Sequence, residues 1–493
     1  MTSAQTQGIP VADVDNHGER TSATAGAPHY GPGVILAVLA FAGLGASFMQ
    51  TILIPIQGEL PELLNTTSDM TAWAITSTLV AAAVCTPVAG RLGDMFGKRR
   101  IAMALLLLQA AGAVLAALAS DVTTLIVARA LQGAVAGVIP LGISILRDVL
   151  PRERLGSAIA LISATLGVGG ALGLPLSAVV AQHFDWHVLF WVAAAIAVLA
   201  LVAYAVVIPP SLQHSPGRID VVGLVGLTVG LVGILIAVSR GGEWGWGDPR
   251  TLVLMGGGTI VLLIWGVIEL RIKDPLVDLR VSARRPVLLT NLASVVMGFA
   301  LFASNVVLPQ LLTLPQVTGT GLGLTLTAAA LVIAPSGLAM MIVAPVAGRI
   351  QQRWGAKALL ILGGVILALA YGLALFWHAA VWQILMVSIV LGIGVGLGYA
   401  AMPALIMQAV PVHETGAANG LNALMRSLGT TIAAAVTGAI LAQSVTTTGG
   451  VAGPSENGFL LTLAIALGAA VISIVIAAFI PTVRAVDDTV KQS

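Results

Sequence analysis

Long apolar runs dominate this chain and recur from Val34 to Ile480, separated by short polar segments. A bilayer core about 30 Å thick is crossed by roughly 20 residues of helix. The runs are continuous and rich in Ala, Leu and Gly, whereas barrel strands would alternate over about ten residues, so we predict helices. The fourteen predicted spans are 34–57, 71–90, 101–120, 123–146, 156–182, 187–208, 219–239, 251–271, 286–312, 325–349, 357–377, 381–408, 417–443 and 458–480.

The composition agrees with a surface that faces lipid. Of the residues, 58% are hydrophobic and 9% are charged, whereas a soluble domain carries about a quarter charged residues. The single Cys85 can form no internal disulfide, and no Cys/His cluster has metal-ligand spacing. The net charge of +2 gives no reason to expect nucleic acid, and no phosphate-binding or nucleophile motif occurs. We therefore expect an integral membrane protein that is not an enzyme and has no metal or cofactor.

The basic residues predict the orientation, because Lys and Arg concentrate in the cytoplasmic loops of membrane proteins. With the amino terminus inside, nineteen of the 23 Lys and Arg residues lie on the cytoplasmic side. Arg240 and Arg250 fall outside, and Arg129 and Arg426 lie within spans. We expect a multi-pass protein of the cell membrane with both termini in the cytoplasm.

An internal repeat predicts the domain organisation. The pentapeptide PVAGR occurs at 87–91, after the second predicted span, and again at 345–349, after the tenth. The copies are eight helices apart, so two helices are inserted between two six-helix bundles. The predicted divisions are a disordered cytoplasmic tail at 1–33, a six-helix bundle at 34–208, two inserted helices and a linker at 209–285, a second bundle at 286–480 and a tail at 481–493.

Several motifs carry a resemblance to a known family. GRLGDMFGKRR at 90–100 resembles the loop 2-3 signature of the major facilitator superfamily, and RALQG at 129–133 and GGALGLP at 169–175 resemble its helix 4 and helix 5 motifs. GGEWGW at 241–246 and ELRIKDPLVDLR at 269–280 are similar to its fourteen-helix drug:proton antiporter branch. The resemblance implies an all-α fold of two pseudo-symmetric six-helix bundles plus two inserted helices.

The loop at 90–100 is a candidate conformational latch. Asp94 lies near the positive amino-terminal end of a helix, amid cations, and glycines permit a tight turn there. The resemblance implies that Asp94 pairs with a basic residue of a neighbouring helix end in one state; alternatively the loop only sets topology. In the second copy of the repeat Gln352 occupies the position of Asp94. We therefore predict a lopsided latch, with the charged residue in the first copy only. The latch residues are Gly90, Arg91, Gly93, Asp94, Gly97, Lys98 and Arg99.

Helices 4 and 5 carry the next candidates. A buried cation is costly, so Arg129 should have a function or a partner; the resemblance implies proton transfer, and a structural hydrogen-bond hub is the alternative. Gln132 and Gly133 share its helical face. In helix 5, small residues and a proline allow close packing and a kink at the interface between halves, and the resemblance associates them with export. These residues are Gly169, Gly170, Gly173 and Pro175.

Proton coupling is where the chain departs from the resemblance. Helix 1 has Gln50 near the position of an expected Asp, and no span contains an acid at mid-depth. A proton carrier needs a group whose pKa burial can move. Glu59 and Glu62, three residues apart at the outer end of helix 1, are the candidates, with Arg129 as modulator. The alternative is that both are solvated loop carboxylates.

The resemblance places a substrate cavity near mid-membrane. The few polar and aromatic groups there predict a bulky amphiphile, which should be neutral or anionic because Arg426 lies in a span and no carboxylate lies at mid-depth. For each side chain taken alone, packing is preferred over ligand contact as the interpretation. The cavity candidates are Met49, Gln50, Asn291, Phe299, Phe302, Asn305, Asn422 and Arg426.

These observations predict active export of a small lipophilic or amphiphilic molecule, such as a drug or antibiotic, by alternating access and proton antiport. We expect a monomer whose partners are its substrate, protons and membrane lipids. A lipid or lipophile translocator of the same fold, suggested by the acid-poor cavity, and a solute importer are the alternatives.

Overall fold

The computed structural model describes residues 30–57, 59–211, 220–273, 275–448 and 450–481. The predicted tails lie almost wholly outside these ranges. The helices within them are α1 (Pro32–Thr51), α2 (Leu60–Leu63), α3 (Ser68–Phe96), α4 (Lys98–Ala117), α5 (Val122–Gly133), α6 (Val138–Val149), α7 (Arg152–His183), α8 (His187–Val207), α9 (Val221–Trp244), α10 (Pro249–Glu269), α11 (Leu279–Ser282), α12 (Arg285–Thr313), α13 (Leu326–Phe376), α14 (Val381–Ala409), α15 (Thr415–Gln443) and α16 (Glu456–Ala478).

A small hairpin accompanies the helices. Strands β1 (Val445–Thr448) and β2 (Val451–Pro454) pair antiparallel between α15 and α16, with Val445 opposite Pro454. Gly450 between them has a φ of 79°, which glycine adopts without strain.

Thirteen helical segments of the described chain are long and apolar enough to cross a membrane. The longest, α13, has 51 residues and contains non-helical backbone at Gly355, with φ 83° and ψ 164°. Gly355 separates the tenth and eleventh predicted spans, so the kink is compatible with two crossings. The all-α membrane fold is confirmed, while the count of fourteen stays a prediction.

The two copies of the repeat end in the same backbone conformation. Gly97, between α3 and α4, has φ 100° and ψ 124°, and Gly355 occupies the corresponding place in the second copy. A positive φ is readily available only to glycine. In both copies a single residue with positive φ therefore interrupts the helical backbone between two long helical segments.

The fourth predicted span, 123–146, is not one continuous α-helix. A 3-10 turn at Ala134–Gly137 separates α5 from α6. Gly133 and Gly137 lie against α3 there, and a β-carbon on Gly137 would stand 2.6 Å from the Ala89 β-carbon. Close packing of two helix backbones accompanies this local tightening.

The predicted inserted pair packs against helices of both predicted halves. Helices α9 and α10 contact each other, and α9 also contacts α3 of the first half and α15 of the second. An apolar cluster forms this contact and includes Ala83, Leu227, Leu231, Leu235 and Leu424. Helix α10 carries large exposed apolar side chains such as Val253 and Leu263, as expected for a surface in contact with lipid.

We predict the topology from the basic-residue asymmetry, and cysteine labelling checks it. In a Cys85→Ala background, single cysteines replacing the exposed Gly247 and Thr447 should react with a membrane-impermeant maleimide in intact cells. A cysteine at the exposed Ala283 should react only after permeabilisation. Reaction of position 283 in intact cells would contradict the orientation and require a different number of crossings.

Candidate functional site

Asp94 joins the two halves of the molecule on the predicted cytoplasmic side. It lies near the end of α3 and is 2% exposed. Its Oδ1 accepts a hydrogen bond from the Gly416 amide at 3.1 Å, and its Oδ2 accepts one from the Ala417 amide at 2.8 Å. Both amides belong to the first turn of α15, where a helix presents unpaired N–H groups and a positive dipole end. The carboxylate of one half therefore caps a helix of the other.

Glycines make this junction possible by letting α3 and α15 touch through their backbones. A β-carbon on Gly90 would collide with the Gly416 carbonyl, and one on Gly420 would stand 2.8 Å from the Thr86 carbonyl oxygen. The predicted turn is formed by Gly97 alone. Gly93 is helical and packs against Leu141, so its predicted place in the turn is wrong.

The latch cations have separate partners. Lys98 is 2% exposed and pairs with Asp148 at 2.7 Å, and Arg99 donates to the Ala205 carbonyl of α8. Asp94 accepts from backbone amides in this structure, whereas the resemblance implies a basic partner in one state. The sequence shows Asp148 as a carboxylate close to the end of the fourth predicted span, but its pairing with Lys98 was not predicted.

Arg147 makes a second junction on the same side. Its guanidinium donates to the Thr415 hydroxyl at 2.7 Å and to the Val410 carbonyl at 3.4 Å, so α6 of the first half holds the start of α15. Sequence reasoning missed this residue as well. The signal was its position beside Asp148 at a predicted helix end.

The second copy of the repeat also contacts the opposite half. A β-carbon on Gly348 in α13 would stand 2.6 Å from the Ser157 β-carbon in α7, and the Gln352 side chain donates to the Glu153 carbonyl. This contact is neutral, whereas the first copy uses a carboxylate. On the predicted cytoplasmic side the halves therefore meet at both copies. A further hydrogen bond from Gln182 to Thr327, at 3.1 Å, joins α7 and α13 at their other end.

Arg129 is a hydrogen-bond hub in this structure. It is 1% exposed and donates to the Met49 carbonyl at 2.9 Å and to the Gln132 Oε1 at 2.8 Å. The Thr78 hydroxyl donates to the Arg129 carbonyl at 3.1 Å, and Gly133 lets the same part of α3 approach. Arg129 thus ties α5 to α1 and α3, which is the arrangement of the structural alternative; its role in proton transfer stays a prediction.

The helix 5 glycines pack α7 against α1 within the first half. A β-carbon on Gly169 would stand 2.7 Å from the Leu44 carbonyl oxygen, and one on Gly173 would stand 3.2 Å from the Phe48 ring. Gly170 lies near Thr51, and Pro175 lies inside the continuous helix α7. Gly167 of the same helix faces α13 of the other half, and α7 packs along α13, so α7 lies at the interface between the halves although Gly169, Gly170 and Gly173 face α1; the link of these residues to export stays a prediction.

Glu59 and Glu62 are both exposed, in the short segment that includes α2. Nearby on the predicted outer side, Asp185 accepts hydrogen bonds from the backbone and ring of His187, and these bonds lower the pKa of that carboxyl. The His187 Nε2 lies 2.9 Å from the Ala119 carbonyl oxygen. Neither predicted coupling carboxylate is buried, which agrees with the loop alternative.

A buried polar cluster occupies the second half. The Asn422 amide donates to Asn291 at 2.9 Å and to the Ser294 hydroxyl at 2.7 Å. The Ser294 hydroxyl lies 2.8 Å from the Met402 sulfur. The structure therefore brings the predicted Asn291 and Asn422 together across α12 and α15, and it adds Ser294.

Arg426 lies one helical turn beyond Asn422 and stacks on an aromatic ring. Its guanidinium carbon is 4.8 Å from the centre of the Tyr399 ring. The side chain is half-buried, as is that of Phe299 nearby on α12. Sequence reasoning missed Tyr399, although it is one of only four tyrosines and lies inside a predicted span.

The other cavity candidates are not brought to this cluster by a described contact. Met49 is buried, and its carbonyl oxygen accepts a hydrogen bond from Arg129. Gln50 and Asn305 are exposed, and Phe302 is half-buried. Exposed amides inside membrane-spanning helices need a polar neighbour or water, which is compatible with an open cavity on their side.

The chain is similar in sequence to a known family of proteins. The sequence profile of the Major Facilitator Superfamily matches residues 39–434 and 290–492. The chain belongs to this superfamily. Lincomycin resistance protein LmrB of Bacillus subtilis (strain 168) is 30% identical over 335 residues, covering 67% of this chain and 69% of that protein. Multidrug resistance protein 3 of the same strain is 25% identical over 377 residues, covering 75% of this chain and 72% of that protein.

A solved superfamily structure has the same fold. The human organic anion transporter MFSD10 (TETRAN) superposes with a TM-score of 0.64 at 14% identity, over 91% of this chain and all of that chain. The resemblance derived from the motifs is confirmed. The chain is a multi-pass membrane transporter of the superfamily, and it is not an enzyme.

The Asp94 junction predicts the effect of one substitution. Asp94→Asn keeps one acceptor but turns an amide donor toward the first turn of α15, and a hydrogen bond to a charged group contributes about 1.5–3 kcal/mol. We expect the variant to insert normally into the membrane. It should transport substrate at least tenfold more slowly than the wild-type protein, measured in cells that express the two proteins equally. Asp121→Asn is the control, because Asp121 caps α5 at an exposed site. Wild-type transport by Asp94→Asn would refute the latch.

Proposed function

We propose that this transporter is a secondary active exporter of amphiphilic small molecules, in the class of drugs or antibiotics, and that it works by alternating access and proton antiport in the cell membrane. The names of its relatives support a drug substrate: one confers lincomycin resistance and another multidrug resistance. Residue geometry supports the conformational part of the proposal. The observation that carries it is the Asp94 junction between halves.

Alternating access requires contacts between the halves that can form and break. Asp94, Arg147 and Gln352 meet the opposite half through hydrogen bonds at helix ends, where water can replace each partner when the contact opens. Such polar contacts cost little to exchange, whereas a buried apolar interface would be costly to separate. The same three residues would be released when the cavity opens to the predicted cytoplasmic side.

Arg426 and its neighbours favour a neutral or anionic substrate. Helices α12, α14 and α15 contain no Asp or Glu, so nothing on them neutralises a bound cation. Arg426 offers a positive charge beside Tyr399, and Asn422 offers an amide next to Ser294. Together they suit a lipophilic molecule with one anionic or hydroxyl-rich end.

We predict that Arg426 anchors the polar end of the substrate. Arg426→Gln should weaken binding of an anionic lipophilic dye by about tenfold to a hundredfold, as expected for a charge-assisted hydrogen bond of about 1.5–3 kcal/mol. Arg426→Lys should recover part of the loss, and a neutral dye should lose less. The measurement is dye binding to purified protein by fluorescence. Equal losses for the two dyes would indicate a structural role for Arg426.

For coupling, we propose that Glu59 and Glu62 take up protons from the predicted outer side. Proteoliposomes with an imposed pH gradient test this, using lincomycin, an anionic dye and a cationic dye as probes. Glu59→Gln/Glu62→Gln should abolish substrate-induced proton movement while binding of the probe stays measurable. Arg129→Ala is compared in parallel as the proposed modulator.

The outcomes of this experiment separate the alternatives. Unimpaired coupling in the double variant would exclude Glu59 and Glu62 as the coupling residues. The next candidates would then be Asp94 and Glu414, which immediately precedes α15. Transport by the wild type that does not depend on pH would contradict proton antiport. Movement of labelled phospholipid without movement of any probe would contradict drug export and favour the lipid translocator, and inward accumulation of a probe would favour the importer.

A further inference from the structure

Two carboxyl groups meet where the inserted helices face the predicted cytoplasmic side. Asp220 precedes α9, and its Oδ1 accepts a hydrogen bond from the Gly223 amide at 2.7 Å. Glu269 is the last residue of α10 and is 2% exposed. Its Oε1 accepts a hydrogen bond from the Val277 amide at 2.7 Å. One oxygen of each carboxyl group is thus used by a backbone amide.

The other two oxygens face each other. The Asp220 Oδ2 and the Glu269 Oε2 are both buried and have no donor among the described groups, and both approach the same point beside the Gly223 Cα. A β-carbon on Gly223 would collide with both oxygens, so glycine provides the space they occupy. Two facing carboxylate oxygens repel unless a proton or a cation lies between them.

The helix ends indicate which group carries a proton. Asp220 lies at the positive amino-terminal end of α9, which stabilises a carboxylate, whereas Glu269 lies at the negative carboxyl-terminal end of α10, which destabilises one. A protonated Glu269 Oε2 can donate to the Asp220 Oδ2. That single hydrogen bond satisfies both remaining oxygens, as buried polar groups require.

No cation takes the place of this proton within the described residues. The cytoplasmic halves of α9 and α10 contain no basic residue. Arg271 and Lys273 are exposed, and Arg280 donates to the Leu270 carbonyl at 2.7 Å. Asp278 caps α11 through the Arg280 and Val281 amides. His214, Arg218 and Asp274 lie outside the described residues.

The pair also fixes the linker that follows α10. Val277 is buried, and its amide donates to Glu269. Residues of this linker, including Lys273, Val277 and Ser282, line a cavity of about 170 Å³. The opposite wall includes Arg91 from the latch loop and Ala417 from the first turn of α15. A change in charge at Glu269 therefore acts on a segment that lies beside the Asp94 junction.

We propose that Asp220 and Glu269 form a proton-binding site that holds the linker against the inserted helices. When the shared proton is bound, Glu269 keeps both its hydrogen bonds and the linker is ordered. When the proton leaves, two negative charges repel across Gly223 and the linker loosens. The site is separate from the proposed coupling residues, and its properties can be measured without any substrate.

Infrared spectroscopy of the full-length protein in nanodiscs tests the proton directly. We expect one carboxylic acid C=O band that disappears as the pH rises between about 5 and 9, the range open to perturbed carboxyl groups. Glu269→Gln and Asp220→Asn should each remove this band, and each preserves the size of the side chain. The control is Asp248→Asn at the outer end of α10, where the carboxylate caps the helix through the Arg250 amide.

A spin label reports on the linker. In a Cys85→Ala background, a label on Lys273→Cys should become at least twofold more mobile as the band disappears, and Glu269→Gln should abolish this pH dependence. Persistence of the band in both pair variants would overturn the proposal. A band that is missing at every pH, with label mobility set by added Na⁺ or Mg²⁺, would replace the proton by a cation and also overturn it.

Discussion

The amide groups that begin a helix have no partner within it, and in a membrane protein each of them must find one in the protein or in water. Here the first turn of α15 finds Asp94, which belongs to the other half of the molecule. The contact satisfies two donors with one buried carboxylate and places negative charge at a positive helix end. A helix cap supplied from across the interface therefore holds α3 and α15 together on the predicted cytoplasmic side.

Small residues determine where the other elements can lie. Gly90 and Gly416 bring α3 against α15, and Gly348 brings α13 against Ser157 of α7. The inserted helix α9 then covers the contact between α3 and α15 with apolar side chains. The polar groups at the ends of these helices, including the Asp220–Glu269 pair, are consequently held next to the contact that we propose opens and closes during transport.

Hydropathy predicted nearly all the membrane helices because the bilayer imposes a length and an apolar surface on each of them. The motif at 90–100 predicted Asp94 as the latch residue, but the chain alone could not show that its partners are the amides of Gly416 and Ala417. The same limit applies to Asn291 with Asn422 and to Asp220 with Glu269. Each pair is brought together by packing between helices that are distant in sequence. A single sequence does not show which faces of these helices contact each other. For the same reason the sequence placed helix 5 at the interface between the halves without showing that Gly167 faces α13 while Gly169 and Gly173 face α1.

Gly355 joins two long helical segments through one residue, with no loop between them. Because no loop separates the two segments, a rotation of either segment directly displaces the other. Gly97 does the same between α3 and α4. Each predicted half thus contains two long helical segments that are joined at a single glycine. A longer connection at either glycine would uncouple the movements of the two segments while leaving both of them helical.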